Sequence, residues 1–313
     1  MATSVVLGGA GFLGSHLVDS LISDGNKVVV LDDFSSGTMK NLEQVQNHPL
    51  FSIQKHDICH RIEMDDEVDM VFNFASPASP PRYLENPIHT LQTGSFGTNN
   101  AILFALEKNA RLIQASTSEV YGDPLEHPQT ETYWGNVNPI GIRSCYDEAK
   151  RYGEALCMAY KRSEDLDVAI VRIFNTYGPR LGATDGRVVS NLIVQALAGS
   201  PLTIYGDGFQ TRSFCFVSDL IDGIRKLASS DACGPINIGN PVEFTVLELA
   251  QMVKQITATS STIEYLDLPA DDPMQRCPEI ALARSVLNWE PRIGLEDGLR
   301  QTIQWFKEQG GLS

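Results

Sequence analysis

Ser4-Val-Val-Leu-Gly-Gly-Ala-Gly-Phe-Leu-Gly14 runs an apolar stretch straight into glycines at every third position, Gly8, Gly11 and Gly14. Residues 4–8 read as a buried strand and residues 11–21 as a helix. Glycines without side chains at the turn let the backbone approach a pyrophosphate, and Phe12 and Leu13, between Gly11 and Gly14, are carried beside it. The helix start adds free N–H groups and the positive end of its dipole. A second apolar run, 28–31, closes on Asp32, placed where a carboxylate would take the hydroxyls of an adenosine ribose. Asp33 follows, and no arginine stands nearby to receive a 2′-phosphate, which favours NAD over NADP. A glycine turn alone is weak. With strand, helix and carboxylate around it, a bound dinucleotide is the stronger expectation.

Further strands are predicted at 51–54, 70–74, 112–116 and 168–173, with helical patterns at 87–107 and 146–162. Strands alternating with helices imply right-handed βαβ units, hence an α/β fold with a doubly wound parallel sheet covered on both faces. Beyond about residue 174 the rhythm shifts to short strands and helices rich in Gly and Pro. Residues 1–173, with a return segment near 211–230, are therefore expected to form the Rossmann domain for NAD. Residues 174–313 are expected to be mainly a smaller α/β portion facing the substrate.

The composition excludes several classes. Of 313 residues, 42% are hydrophobic and 20% charged, as in a soluble globular protein. The net charge of −15 argues against nucleic acid. No apolar run suits a membrane span, and no secretion signal is visible. The six cysteines are widely spaced without a CxxC pair, so neither a metal site nor a disulfide framework is expected. These readings point to a reducing cytoplasm. An anionic small molecule stays possible, because a few converging arginines dominate a cleft locally.

Arg143-Ser-Cys-Tyr-Asp-Glu-Ala-Lys150 places Tyr146 and Lys150 over one turn of a helix. A free tyrosine, with a pKa of about 10, is a poor base at neutral pH. An ammonium nearby, together with a positive nicotinamide ring, would stabilise its phenolate. Such a base takes a sugar hydroxyl proton while hydride leaves for the cofactor. The stretch Ala115-Ser-Thr-Ser-Glu-Val-Tyr-Gly122 ends the fifth strand, and strand ends of a parallel sheet point at the site. Thr117 can bond the oxygen being oxidised, leaving Glu119 free to act on neighbouring carbons.

GxxGxxG followed by Tyr-x-x-x-Lys resembles the extended short-chain dehydrogenase/reductase family. Its 4,6-dehydratases carry Asp-Glu where this chain has Ser118-Glu119, so the dehydratase's acid is missing. Thr-Ser-Glu followed by Val-Tyr-Gly-Asp-Pro is similar to the UDP-glucuronate decarboxylase branch. So are Pro77-Ala-Ser-Pro-Pro81, Arg172-Ile-Phe-Asn-Thr-Tyr-Gly-Pro-Arg180, Asp185-Gly-Arg-Val-Val-Ser-Asn191, Gln210-Thr-Arg-Ser-Phe214 and Asp271-Asp-Pro-Met-Gln-Arg276. The resemblance runs nearly end to end. It implies that Asp57 lies near the adenine and that Phe74, Ala75 and Ser76 line the cofactor. Phe34, Ser35, Ile58, Thr93, Ala115, Thr176 and Arg187 are expected around the cofactor as well. For a UDP-sugar it implies Tyr83, Asn100, Asn175, Asn191, Thr203, Tyr205, Gln210, Arg212 and Arg276.

The implied reaction oxidises C4 of the glucuronate, loses carbon dioxide from the resulting β-keto acid, and reduces C4 again. Tyr146 acts at O4 with Thr117, Lys150 holds the nicotinamide ribose, and Ser118, Glu119 and Arg276 serve the carboxylate end and C5. The chain departs from the branch around Met64 and at Gln92, Leu106 and Glu107, each change being expected to remove a contact or a positive charge near an anionic substrate. A related nucleotide-sugar 4-epimerase, a decarboxylase releasing the 4-keto pentose, and a non-catalytic NAD sensor are the alternatives. Family members pair as homodimers, and Leu103, Leu106, Ala149 and Leu156 are expected to supply the apolar surface.

Overall fold

The computed structural model describes residues 1–267 and 275–309. Strand β1 (Thr3–Leu7) feeds α1 (Phe12–Ser23), β2 (Lys27–Asp32), β3 (Phe51–Lys55) and β4 (Met70–Asn73). Then come α2 (Pro80–Glu85), α3 (Pro87–Gln92), a π turn at Thr93–Gly97, α4 (Thr98–Lys108) and β5 (Arg111–Thr117). A 3-10 turn at Ser118–Tyr121 precedes α5 (Ser144–Glu164) and β6 (Val168–Ile173). The remainder is β7 (Thr176–Tyr177), α6 (Val188–Ala198), β8 (Leu202–Tyr205), β9 (Thr211–Ser213), β10 (Cys215–Phe216) and α7 (Val217–Ala228). It continues with β11 (Ile236–Ile238), β12 (Glu243–Thr245), α8 (Val246–Thr257), β13 (Ile263–Leu266), β14 (Gln275–Arg276), α9 (Ala281–Leu287) and α10 (Leu295–Glu308).

The central sheet has seven parallel strands in the order β11-β6-β5-β4-β1-β2-β3. The chain builds outward from β1 one way, then returns to its other side at β4. Ligands bind at such a reversal, beyond the strand carboxyl ends. Here the glycine turn after β1 meets the stretch after β4: a Cβ at Gly8 would stand 2.7 Å from the Ala75 backbone, and Gly8 has a φ of +77°. At Gly14 a Cβ would meet the Gly8 carbonyl oxygen at 2.2 Å, so α1 packs this close only without a side chain.

Alternation along the strands divides the core between the two faces of the sheet. Val5, Leu7, Val29 and Leu31 pack with Ile102, Ala105 and Leu166 on one side, under α4 and α5. Val6, Val28, Val30 and Phe72 pack with Leu17, Leu21 and Leu220 on the other, under α1 and α7. Helical character expected across 87–107 is interrupted by the π turn. Its glycines explain the packing there: a Cβ at Gly94 would stand 2.5 Å from Ala149 Cβ, so this turn lies tight on α5.

The second half does not stand apart from the sheet. β11 joins its edge beside β6, and α7 covers it next to α1. The remaining short strands form small sheets, β12-β9-β14, β13-β8 and β10-β7, at the carboxyl side of the large one. Among the described residues no helix is long and apolar enough to cross a membrane.

Candidate active site

One cleft of about 820 Å³ runs along the carboxyl ends of the strands. All the candidate site residues named above line it except Phe34 and Asn100. Phe34 takes a left-handed φ of 63° and packs on the core, giving its backbone N–H to Asp32 Oδ1 at 2.8 Å. Asn100 on α4 donates to the Ile58 carbonyl at 2.8 Å, so it supports a lining residue from behind. Residues 271–274 of the Asp271–Arg276 stretch lie outside the described residues.

At the nucleotide end, Asp32 is 5% exposed and its oxygens accept the backbone N–H groups of Ala10 and Phe34, each at 2.8 Å. Burial pushes its carboxyl up, and those two bonds oppose the rise. Asp33 accepts from the Ser35 hydroxyl at 2.7 Å and faces His89 at 3.7 Å. Asp57 accepts the Cys59 N–H at 2.9 Å; burial works against its charge, but that bond and nearby histidines leave it below the usual carboxylate range. Asp32 and Asp33 beyond the glycine turn fit an adenosine ribose, Asp57 fits the adenine side, and the gap over Gly8, Gly11 and Phe12 fits a pyrophosphate. Lys40 also lines this end, a cation missed in the sequence because it lies beyond the strand.

At the reacting end, Tyr146 is 5% exposed and stacks on Tyr83, with centroids 5.0 Å apart and planes 5° from parallel. The Tyr83 hydroxyl is buried without a hydrogen-bond partner among the described residues, a polar group left for a ligand. Burial raises the Tyr146 phenol, and a side-chain hydrogen bond with Thr117 opposes the rise. Lys150 Nζ donates to the Ala115 carbonyl at 3.0 Å and lies 5.7 Å from the Tyr146 ring centroid. Burial lowers its ammonium to about 8. The expected pull of Lys150 on the phenol is thus spent elsewhere: the ammonium faces a carbonyl, and burial dominates at Tyr146.

Glu119 is not free, contrary to expectation. Arg143 Nη2 holds one oxygen at 2.6 Å and Arg276 Nη1 the other at 3.1 Å. Burial opposes its charge, yet Arg276, Arg143 and Arg212 outweigh it and keep the carboxyl below the usual range. Arg276, 1% exposed, also bonds the Ser118 hydroxyl at 3.0 Å and the Gly122 carbonyl at 2.7 Å, while its Nε has no partner among the described residues. In the sequence Arg143 stands only as the residue opening the Tyr146 stretch. Its one signal there is a spacing of about one helical turn before Tyr146.

Beyond the sugar end, Arg187 is forked onto Asp185 at 2.5 and 2.9 Å and lies over the Phe12 ring at 5.8 Å. Asn191 is oriented by the Gly186 carbonyl and Gln210 by the Tyr205 carbonyl. Arg212 donates to the Thr211 carbonyl at 2.8 Å. Met64, Gln92, Leu106 and Glu107 lie outside the lining. Met64 and Leu106 pack on the core, and Glu107 pairs with Arg61 on the surface. Their departures from the family pattern therefore remove nothing from the cleft wall itself.

A glycine cradle, ribose carboxylates, and a Tyr-x-x-x-Lys helix beside a Thr117 strand end define an extended short-chain dehydrogenase/reductase. Residues 5–302 match the family model described as GDP-mannose 4,6 dehydratase. UDP-glucuronic acid decarboxylase 1 of Arabidopsis thaliana is 52% identical over 97% of this chain and 70% of its own. Its counterpart in Danio rerio is 50% identical over 97% and 72%. Within its class, the chain belongs to the family of the UDP-glucuronic acid decarboxylases. Among solved structures, a Bacillus cereus UDP-glucuronic acid 4-epimerase with UDP-glucuronic acid and NAD has a TM-score of 0.89 at 27% identity, over 98% of this chain and 99% of that one. A Streptomyces venezuelae dTDP-glucose 4,6-dehydratase with NAD has a TM-score of 0.90 at 26% identity, over 99% and 98%.

Proposed function

We propose that the protein decarboxylates UDP-glucuronate to UDP-xylose, using NAD that ends each turnover unchanged. The observation that carries this reading is the juxtaposition of Tyr146 and Thr117 with a Glu119 carboxylate clamped between Arg143 and Arg276. One side of the site suits an alcohol being oxidised, the other a carboxylate. The glycine turn, Asp32, Asp57 and Lys150 would hold NAD, which supplies a reversible hydride acceptor at C4.

Tyr146 takes the O4 proton, with Thr117 on the same oxygen and the stacked Tyr83 fixing the ring plane. Its raised phenol means that phenolate forms only when positive charge is brought beside it. With C4 a ketone, the C5–C6 electron pair drains into it and carbon dioxide leaves. The protein has to place the ring and keep that carboxylate unprotonated, which Arg276 and Arg143 serve. Arg212 and Arg187 hold the diphosphates by charge-assisted bonds. Ser118 stands where a dehydratase keeps its acid, and its hydroxyl is tied to Arg276.

In this reading residues 1–173, with the return near 211–230, serve the cofactor, and residues 174–313 mainly the nucleotide sugar. The protein works in the cytoplasm as a homodimer. Of the apolar residues expected at that interface only Leu103 is well exposed; Ala149 is buried against Gly94, and Leu106 and Leu156 pack inward. Ile88, Leu91, Phe96 and Tyr152 take their place on α3, the π turn and α5.

The test is to incubate protein, NAD and UDP-glucuronate and follow the products by mass spectrometry. A UDP-pentose is expected, at a rate reduced about 10²–10⁴-fold or more in Tyr146→Phe. Unchanged substrate with the wild-type protein would overturn the reading.

A further inference from the structure

Decarboxylation of a carboxylate consumes one proton in each turnover. The C5–C6 bond breaks, its electron pair enters the C4 carbonyl, and C5 ends with one hydrogen more. The O4 proton returns to O4 and the hydride to C4, so neither supplies it. The proton comes from solvent, at a moment when sugar nucleotide and cofactor fill the main cleft.

A second cavity of about 190 Å³ lies behind the sugar end. Glu119, Arg143 and Arg276 line both spaces and form the wall between them. Asp123, Asn136 and Asn138 line its outer part, and the side cavity opens to solvent there. Its polar lining and volume suit several waters. At its inner side stands Asp147, which lines this cavity and not the main cleft. Asp147 is 7% exposed, and its Oδ1 has no hydrogen-bond partner among the described residues. A buried carboxyl oxygen left unpaired costs stability unless water or a function answers it.

We propose that Asp147 is a proton-relay residue: it takes a proton from solvent through the side cavity and passes it, by cavity water, to the Glu119 side of the sugar, where C5 is protonated. The proposal rests on the decarboxylase reading. In the step, the Asp147 O–H bond breaks, and cavity water carries the proton to the Glu119 carboxylate in the shared wall. Glu119 gives it up at once as the electron pair held in the C4 enolate returns to form the C5–H bond. The carboxylate left behind is reprotonated from the Asp123–Asn138 mouth. Glu119 is itself a poor proton store, because two guanidinium groups hold it ionised. Asp147 suits that role, since burial and the charge of Glu119 push its carboxyl up to about 7, against Arg143 and Arg276. The other groups facing it are Glu148, Cys145 and Tyr146 on its own helix, Tyr83 from α2, and Asp123 across the cavity.

The experiment follows kcat on UDP-glucuronate with NAD from about pH 5.5 to about pH 8.5, for wild type, Asp147→Asn and Asn138→Trp. Wild-type kcat is expected to fall as pH rises through about 7, where the relay loses its acid form. Asp147→Asn is expected to be about 10–100-fold slower, to lack that limb, and to bind NAD with unchanged affinity by calorimetry. Asn138→Trp, which plugs the mouth without touching Asp147, is expected to be slowed while keeping the limb; it alone decides should Asp147→Asn not fold. Wild-type rates and profiles in the folded variants overturn the relay. So does an Asp147→Asn protein that is slower with its limb intact, since that marks a merely structural side chain. A wild-type protein that leaves UDP-glucuronate unchanged overturns the decarboxylase reading and the relay with it; turnover with unaffected variants overturns the relay alone.

Discussion

Lys150 keeps a charge in a place that disfavours it. Only 8% of it is exposed, and a single carbonyl at 3.0 Å answers its ammonium. The folded protein holds its pKa at about 8, against 10.5 for an unperturbed lysine. A lysine whose folded pKa is depressed makes the protein less stable below that folded value. The penalty is relieved as pH rises from about 8 toward 10.5, where the unfolded chain still binds the proton. At pH 7 the penalty is on the order of 3 kcal/mol. Lys150→Met is therefore expected to raise the melting temperature of the cofactor-free protein by a few degrees at pH 7, and to lose most turnover. The gain shrinks toward pH 10. Thermal melts at both pH values check this, and a variant less stable than wild type at pH 7 would contradict it. Stability given up at a functional residue is a common exchange.

Between single residues and the fold stands the network that fixes the Ser118–Tyr121 turn. Arg172 on β6 is forked onto Glu154 of α5 at 2.9 and 2.7 Å and donates to the Tyr121 hydroxyl at 2.9 Å. Glu154 accepts from Ser116 at 2.5 Å, and Tyr121 donates to Asn237 at 2.8 Å. Three strands (β5, β6 and β11), one helix and the turn are thereby held in one register, with Ser118 and Glu119 at its tip. Arg172→Met is expected to lose about 2–4 kcal/mol in denaturant unfolding, because it leaves a half-buried carboxylate with only the Ser116 hydroxyl. Arg172→Met with Glu154→Leu is expected to lose less than the two single losses summed; additive losses would show that the pair is not coupled. None of this was legible beforehand, since Arg172 and Glu154 sit in ordinary strand and helix patterns and only their side chains meet. The first six strands were legible, each near its expected residues, because apolar runs bounded by turns leave few choices; the short strands after residue 174 were legible only as a change of rhythm, without positions. β11 escaped notice: Ile236–Ile238 is three residues long, too short for a period. The main cleft was legible at Gly8, Asp32, Tyr146 and Lys150, where chemistry demands a residue type at a spacing. Arg143, Asp147 and Lys40 were not, because their importance depends on which groups the fold brings to them.

For the molecule as a whole, the net charge of −15 gives copies of the chain a reason to repel one another. Association therefore needs a surface where apolar burial outweighs that repulsion. The α3, π turn, α4 and α5 region offers one: Ile88 is 69% exposed, Phe96 61%, Leu103 46% and Tyr152 47%. These elements pack on one another within the chain, and α5 also carries Tyr146 and Lys150. Pairing through them would brace the helix that holds the base, coupling assembly to the geometry of the site. A patch of exposed apolar residues on this scale marks an interaction surface. Light scattering at micromolar concentration is expected to give twice the chain's 34.4 kDa. Phe96→Asp is expected to shift it toward the monomer, because it sets a carboxylate in the middle of the patch. Raised salt is expected to tighten the wild-type dimer by screening the like charges, the opposite of what a salt-bridged interface would do. A wild-type monomer under these conditions would sink the pairing, and a Phe96→Asp dimer would move it to another face.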